Sequence, residues 1–149
     1  MSFENDFQAI RIQEGILHVI LKNVESIDLD FAKHMVHERK LFIKDNAFPV
    51  LIDCGVLGSM DRDARLYLAD DESCKGLLAC ALFIHSPVQK IIGNFYVNIN
   101  PPSIPSKVFT DHEEAIFWLS HFKVNNESNI SLPFTPNNTS GNNPIKIFN

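Results

Sequence analysis

The sequence predicts an α/β domain whose mixed, mostly parallel sheet has about five strands, opens with a β-hairpin and packs against about four helices. Short β-branched runs and amphipathic segments alternate along the chain in the order β-β-α-β-α-β-α-β-α. Two of the later apolar runs show no polar alternation, which is typical of parallel strands buried on both faces. A chain of 149 residues is long enough to bury one core without disulfides or a structural metal.

The hairpin is predicted at residues 8 to 22. Ile10 and Ile12 alternate with polar residues, and Glu14-Gly15 supplies a tight turn. The run from Ile16 to Leu21 then continues as a strand that is apolar on both faces. We therefore expect this second strand to lie inside the sheet.

A long helix is predicted at about residues 28 to 45, where the hydrophobic period changes to that of a helix. Asp28 is suited to cap it, and Asp30 to occupy its first turn. Apolar residues recur on one side of this segment, at Leu29, Ala32, Met35, Val36 and Phe42. That side is expected to pack on the sheet.

Two buried strands and the helix between them are predicted next. Residues 49 to 55 and 77 to 85 are short apolar runs, and residues 61 to 72 show helical spacing. Ser86-Pro87 begins a third helix, with a hydroxyl cap and a proline at the first position. The stripe of this helix that is expected to face inward consists of Val88, Ile91, Ile92, Phe95 and Ile99.

The last elements are a short strand at residues 106 to 109 and a helix opened by the capping box Thr110-Asp111-His112-Glu113. The α/β domain is placed at residues 1 to 123. Residues 124 to 149 hold eight Asn and three Pro and predict a flexible tail. The alternative is that Ile145-Lys146-Ile147-Phe148 docks on a sheet edge of this or a neighbouring subunit, which leaves a homodimer open.

Charge and composition exclude several classes of protein. The balance of 13 Lys and Arg against 18 Asp and Glu gives a net charge of −5, which offers no footprint for nucleic acid or an anionic membrane. Residues 1 to 6 show no signal-peptide pattern, and the apolar stretch at 76 to 84 is too short to span a bilayer. Cys54, Cys74 and Cys80 lack paired spacing. We expect a cytoplasmic protein with reduced thiols and no stable membrane insertion.

The order of these elements and several motifs resembles the STAS fold. The similarity is to anti-sigma-factor antagonists of the sporulation type, and more closely to uncharacterised bacterial proteins described as STAS-like or CRAL-TRIO-like. It covers about residues 8 to 122. The segments that carry it are Leu51-Ile52-Asp53, Gly58-Ser59-Met60-Asp61, the run from Ala79 to Pro87, Lys107-Val108-Phe109 and the run from Glu114 to Leu119. The resemblance implies a bacterial regulatory module that binds a protein partner.

One motif departs from the antagonist pattern. In that family an Asp is followed by a Ser, by a Ser or Thr that a partner kinase phosphorylates, and by a Gly. Here Asp61 matches the Asp, whereas Arg62, Asp63 and Ala64 replace the other three. A Ser/Thr kinase cannot phosphorylate a carboxylate, which already carries a fixed charge. Asp63 is therefore either a permanently charged switch position or an ordinary acid of the first helical turn.

The first candidate site is a partner-binding surface on the loop and helix at residues 59 to 68. Its members are Ser59, Asp61, Arg62, Asp63 and Arg65. The leading interpretation is a non-enzymatic, regulatory protein-binding role. The alternative is a carrier of an apolar small molecule or lipid, which the CRAL-TRIO-like resemblance and the 12 Phe residues suggest.

The second candidate site is a rim at the carboxyl ends of the parallel strands, where ligands of such sheets bind. Asp53, Cys54, His85 and Ser86 are expected there, beside Ser59. A Cys54 nucleophile with His85 as its base would make a cysteine-dependent enzyme, which is the third interpretation. Neither the histidine nor the glycine spacing matches a metal or nucleotide motif, so no metal and no cofactor are expected.

Overall fold

The computed structural model describes residues 1–99 and 101–124 and has the predicted α/β architecture. Its helices are Leu29–Ile43 (α1), Arg62–Leu68 (α2), Pro87–Asn94 (α3) and His112–Ser120 (α4), with a π-helical turn at Phe95–Ile99. Its strands are Ser2–Glu4 (β1), Gln8–Gln13 (β2), Ile16–Leu21 (β3), Ser26–Ile27 (β4), Phe48–Asp53 (β5), Ser59–Met60 (β6), Leu77–Phe83 (β7) and Ser106–Phe109 (β8).

Six of the strands form one sheet in the order β1-β2-β3-β5-β7-β8. β1, β2 and β3 are antiparallel neighbours, and β5, β7 and β8 run parallel to β3. The hairpin is confirmed, and β3 lies between β2 and β5, as its two apolar faces predicted. The sheet has one strand more than expected because the three residues of β1 are all exposed and carry no hydrophobic pattern.

β4 and β6 form a separate two-stranded parallel sheet, with Ser26 opposite Ser59 and Ile27 opposite Met60. Strands of two residues are too short to show a hydrophobic period, so the sequence does not reveal them. The carbonyl of Glu25 accepts the N–H groups of residues 58 and 59, at 2.8 and 3.1 Å. These bonds fix the loop that leads into α2.

The sheet carries helices on both faces. On one face, α1 and α2 share a core with the central strands, through residues such as Ala32, Ala64 and Val50. On the other face, α4 packs through Ala115 and Leu119, which are fully buried. Because successive side chains of a strand point to opposite faces, neighbouring residues at a strand end lie on different sides of the sheet.

The helix starts agree with the prediction better than the helix ends. The side chains of Asp28 and Ser86 cap α1 and α3, each accepting the backbone N–H three residues later, at 2.8 and 3.2 Å. α2 ends at Leu68 rather than near residue 72, and residues 71 to 76 form turns. The acids of Asp70-Asp71-Glu72 oppose the negative end of the helix dipole, which explains the earlier end.

The predicted tail at residues 124 to 149, with its docking segment at residues 145 to 148, lies outside the described residues apart from Val124. Its flexibility and its docking therefore stay predictions. Within residues 1–99 and 101–124, no helix has the length and apolar character needed to cross a membrane.

Candidate functional site

Helix α3 turns its apolar stripe toward solvent, which is opposite to the sequence prediction. The exposed members of that stripe are Val88, Ile91, Phe95 and Ile99, at 48%, 60%, 45% and 61% of their full accessible surface. Ile92 is partly buried. The buried positions of α3 and the following π-helical turn are instead Gln89, Gly93 and Tyr96. The prediction that the apolar stripe packs inward is wrong.

Hydrogen bonds of Gln89 explain this orientation. Gln89 is 3% exposed, and its Oε1 accepts the N–H of His85 at 2.7 Å. Its Nε2 donates to the carbonyls of Gly55 and Leu57, at 2.9 and 3.0 Å. Burying this amide satisfies backbone groups of the loop after β5 that would otherwise lack partners. The side of α3 that carries Gln89 therefore faces inward.

Two further contacts hold α3 in this position. A β-carbon on Gly93 would lie 3.0 Å from Cγ2 of Val108, so the missing side chain lets α3 approach β8 closely. The hydroxyl of Tyr96 donates to the carbonyl of Leu68, at the end of α2, at 2.9 Å. These contacts place α3 beside α2 with the apolar stripe outward.

A groove of about 320 Å³ lies between β6, α2 and α3. We call it the α2–α3 groove. The residues that line it are Gly58, Ser59, Met60, Arg65, Val88, Ile91, Ile92 and Phe95. The guanidinium carbon of Arg65 lies 5.1 Å from the centroid of the Phe95 ring. The groove thus combines an apolar floor with one lining cation.

The groove brings together part of the predicted partner-binding surface. Ser59 and Arg65 line it. Asp61, Arg62 and Asp63 are exposed where α2 begins. The side chain of Asp61 forms no capping hydrogen bond, and Asp63 lies in the first turn. Sequence reasoning missed the contribution of α3 because it assigned the correct apolar stripe to the core.

The predicted strand-end rim is only partly formed. Nε2 of His85 and Oδ1 of Asp53 lie 2.7 Å apart, and the same oxygen accepts the N–H of Gly55 at 3.0 Å. Ser86 uses its hydroxyl to cap α3, and Ser59 lies in the α2–α3 groove. The rim therefore consists of an Asp–His pair, with the two serines engaged elsewhere.

Cys54 does not join the Asp–His pair. It belongs to the core beneath the helices, whereas strand alternation places Asp53 on the opposite face. Burial, reinforced by the charge of Asp53, raises the pKa of the Cys54 thiol to about 12. The prediction that Cys54 and His85 share a rim is wrong, and the thiol is kept in its weakly nucleophilic protonated form.

A row of aromatic side chains beside the Asp–His pair has no counterpart in the sequence prediction. The Phe83 ring lies edge-on to His85 and His112, with centroids 4.7 and 5.4 Å away, and His112 stacks on His18 at 6.5 Å. Burial lowers the pKa of His18, and the charges of Arg11 and His112 lower it further. In the part of the chain that the structure describes, no group of three or more His, Cys, Asp or Glu side chains is arranged to hold a metal.

A cavity of about 80 Å³ lies in the core between the sheet and helices α1 to α3. Pockets for drug-sized ligands measure about 300–1,000 Å³. This cavity is therefore too small for a lipid acyl chain.

Comparison with solved structures shows the fold. An uncharacterized protein from the DUF3478 family of Shewanella loihica PV-4, described as having a SpoIIAA-like fold, is 18% identical to this chain, with a TM-score of 0.57. The match covers 80% of this chain and 98% of that chain. The predicted STAS fold is thereby confirmed. A protein with unknown function from Arthrobacter sp. FB24 is 26% identical over 74% of this chain and 97% of its own, with a TM-score of 0.30.

Comparison with known sequence families shows the family of this chain. No curated protein matches it. The model of the family described as Domain of unknown function (DUF7793) matches residues 10–123, which is most of the chain. This chain therefore belongs to the DUF7793 family.

Proposed function

We propose that this chain is a non-enzymatic regulatory domain that binds a protein partner in the α2–α3 groove. The observation that carries the proposal is the exposed apolar stripe of α3, whose Ile91 and Phe95 line the groove together with Arg65. Contiguous exposed apolar side chains mark interaction sites. Aromatic residues and arginine are enriched in protein interfaces and supply most of their binding energy.

The proposed occupant is an amphipathic helix of a different protein, whose apolar stripe packs against Ile91 and Phe95. Helices bind apolar grooves through residues spaced by three or four positions. Val88, Ile91 and Phe95 supply apolar side chains at such spacings along one wall of the groove.

Three observations support the remaining parts of the proposal. By its resemblance to the antagonists, the sequence has Asp63 at the position of their phospho-acceptor; the residue is exposed in the first turn of α2, where a carboxylate would supply a constant negative charge. The separation of Cys54 from His85 on the two faces of the sheet favours a non-enzymatic role. The three cysteines are free and buried, which suits a reducing cytoplasm.

Site-specific photo-cross-linking in the native host tests the proposal. A benzophenone amino acid replaces Phe95 in one variant and Phe117 in the control; Phe117 is 69% exposed and lies on α4, on the opposite face of the sheet. We expect one partner protein to cross-link at position 95 and not at position 117 in the host. The same partner, once purified, should again cross-link at position 95. Adducts formed equally at both positions, or a dimer of this chain cross-linked at position 95, would contradict the proposal.

A further inference from the structure

Strand β8 leaves one edge of the main sheet open. Among the residues that the structure describes, it is the last strand in the order β1-β2-β3-β5-β7-β8. The carbonyl of Phe109 accepts the N–H of Ile84 at 2.9 Å, on the side of β7. Because alternate residues of a parallel strand bond to opposite neighbours, Ser106 and Val108 direct their backbone N–H and C=O groups away from β7. Such an edge is ready to pair with a further strand.

A cleft of about 480 Å³ lies beside this edge, between β8 and α4. The opposite flank of α4 lines a different cleft, with β2 and β3, so this one is on the β8 side of the helix. Phe109 and Trp118 form its apolar part, with ring centroids 5.6 Å apart. Its charged residues are Glu113 and Glu114 of α4 and Lys107 of β8, so the acids outnumber the base. The cleft therefore suits one apolar and one basic side chain.

We propose that the segment Ile145-Lys146-Ile147-Phe148 pairs with β8 of the same chain as an antiparallel strand. The Nζ of Lys123 donates to the carbonyl of Glu14 at 3.0 Å, which holds the preceding residues beside the β2–β3 turn. Strand spacing and rise put the far end of the β8 edge roughly 20–30 Å from that turn. The 20 residues from 125 to 144 span up to about 65 Å when extended, so the segment can reach either end of β8.

The direction and register of the added strand follow from the cleft. α4 begins just after β8 and ends near the β2–β3 turn, so it runs antiparallel to β8. With Ile147 opposite Val108, the alternation of side chains projects Lys146 and Phe148 toward α4. Lys146 then lies near the two glutamates in the first turn of α4, and Phe148 lies nearer Trp118. The parallel direction would reverse these positions and separate the lysine from the acids.

Amide hydrogen exchange of the full ¹⁵N-labelled chain, followed by NMR, tests the inference. Pairing protects the amides of residues 106 and 108. Ile147→Pro removes a donor that the pairing needs, and Ile130→Pro is the matched control outside the segment. We expect both amides to exchange at least about tenfold faster in Ile147→Pro than in the native chain or in Ile130→Pro.

The register has its own readout in the native chain. Residues 107 and 148 form a pair without mutual hydrogen bonds, in which the two backbones approach most closely. We expect a nuclear Overhauser contact between the α-protons of these two residues, and we expect Ile147→Pro to abolish it. This inference does not rest on the partner-binding role of the α2–α3 groove.

Several results would overturn the inference. Equal exchange of both amides in the native chain and in Ile147→Pro would show that this segment does not pair with β8. An equal rise in Ile130→Pro would show that the effect is not specific to the segment. Protection without the contact between residues 107 and 148 would refute the register. Protection that increases with protein concentration would assign the added strand to a second copy of the chain instead.

Discussion

The guanidinium carbon of Arg65, on α2, lies 5.1 Å from the centroid of the Phe95 ring, at the end of α3. A cation over an aromatic face stabilises by about 0.5–1 kcal/mol at an exposed site. The contact joins the two helices that form the walls of the groove. Phe95 nevertheless keeps 45% of its surface exposed. The ring is therefore positioned and still exposed, which would lower the entropic cost of binding the proposed partner.

Replacing an exposed residue of the α3 stripe should leave the fold intact. Ile91 is 60% exposed and Ile10 is fully buried. We expect Ile91→Ser to change the free energy of unfolding by less than about 0.5 kcal/mol, and the control Ile10→Ser to lower it by about 3–5 kcal/mol. Urea unfolding measures both values. A large loss for Ile91→Ser would mean that the stripe packs inward, as the sequence pattern alone predicted.

Gln89 should be important for stability although it lies on a surface helix. Gln89→Met keeps the side-chain volume and removes three hydrogen bonds, which leaves the carbonyls of Gly55 and Leu57 without their partner. We expect the free energy of unfolding to fall by about 2–3 kcal/mol. The control Gln13→Met changes an exposed glutamine and should cost less than about 0.5 kcal/mol. Equal effects of the two substitutions would refute the role assigned to Gln89.

His18 should make the fold less stable in mild acid. Burial, followed by the charges of Arg11 and His112, lowers its pKa below the ordinary value of 6.5 in the folded chain. The unfolded chain therefore takes up the proton at higher pH than the folded chain, and the free energy of unfolding falls as the pH drops below about 6.5. His18→Phe keeps a buried ring and should show a smaller fall between about pH 7.5 and pH 5. If the free energy of unfolding falls equally with pH in the native chain and in His18→Phe, His18 is not the source of the acid sensitivity.

The three thiols should be unreactive in the folded chain. Burial raises the pKa of Cys54 and Cys80 to about 12 and also raises the pKa of Cys74. Iodoacetamide at about pH 8 should label none of them until denaturant is added, because the thiolate is the reactive form. Mass spectrometry of the labelled protein checks this. Rapid alkylation of Cys54 in the native protein would contradict this prediction and would support the interpretation of the chain as a cysteine-dependent enzyme.

Most of the fold was predictable because its signals are local. The apolar runs of β3, β5 and β7 and the caps at Asp28 and Ser86 each show in a few neighbouring residues, and the structure confirms them. The sequence does not predict β1, β4 and β6, because strands of two or three residues are too short to show a hydrophobic period. Their pairing depends on contacts with segments distant along the chain.

The site was only half predictable for a related reason. A helical stripe shows which residues share a face, and the sequence identified that of Ile91 and Phe95 correctly. Which face of the helix packs inward depends on the contacts that the residues of the opposite face can form with the sheet and its loops. Gln89 satisfies loop carbonyls and Gly93 permits close approach to Val108. Those partners lie on other elements, so only the tertiary structure reveals that the apolar face is exposed.

The affinity of the purified partner for Phe95→Glu, measured by calorimetry, tests the central claim most directly. The glutamate places a charge in the apolar groove, and Phe117→Glu places the same charge on the opposite face of the sheet. We predict that Phe95→Glu weakens binding at least tenfold, or about 1.4 kcal/mol, and that Phe117→Glu binds like the wild-type chain. Unchanged affinity of a folded Phe95→Glu variant, or an equal loss for both variants, would contradict the assignment of the α2–α3 groove as the partner-binding site.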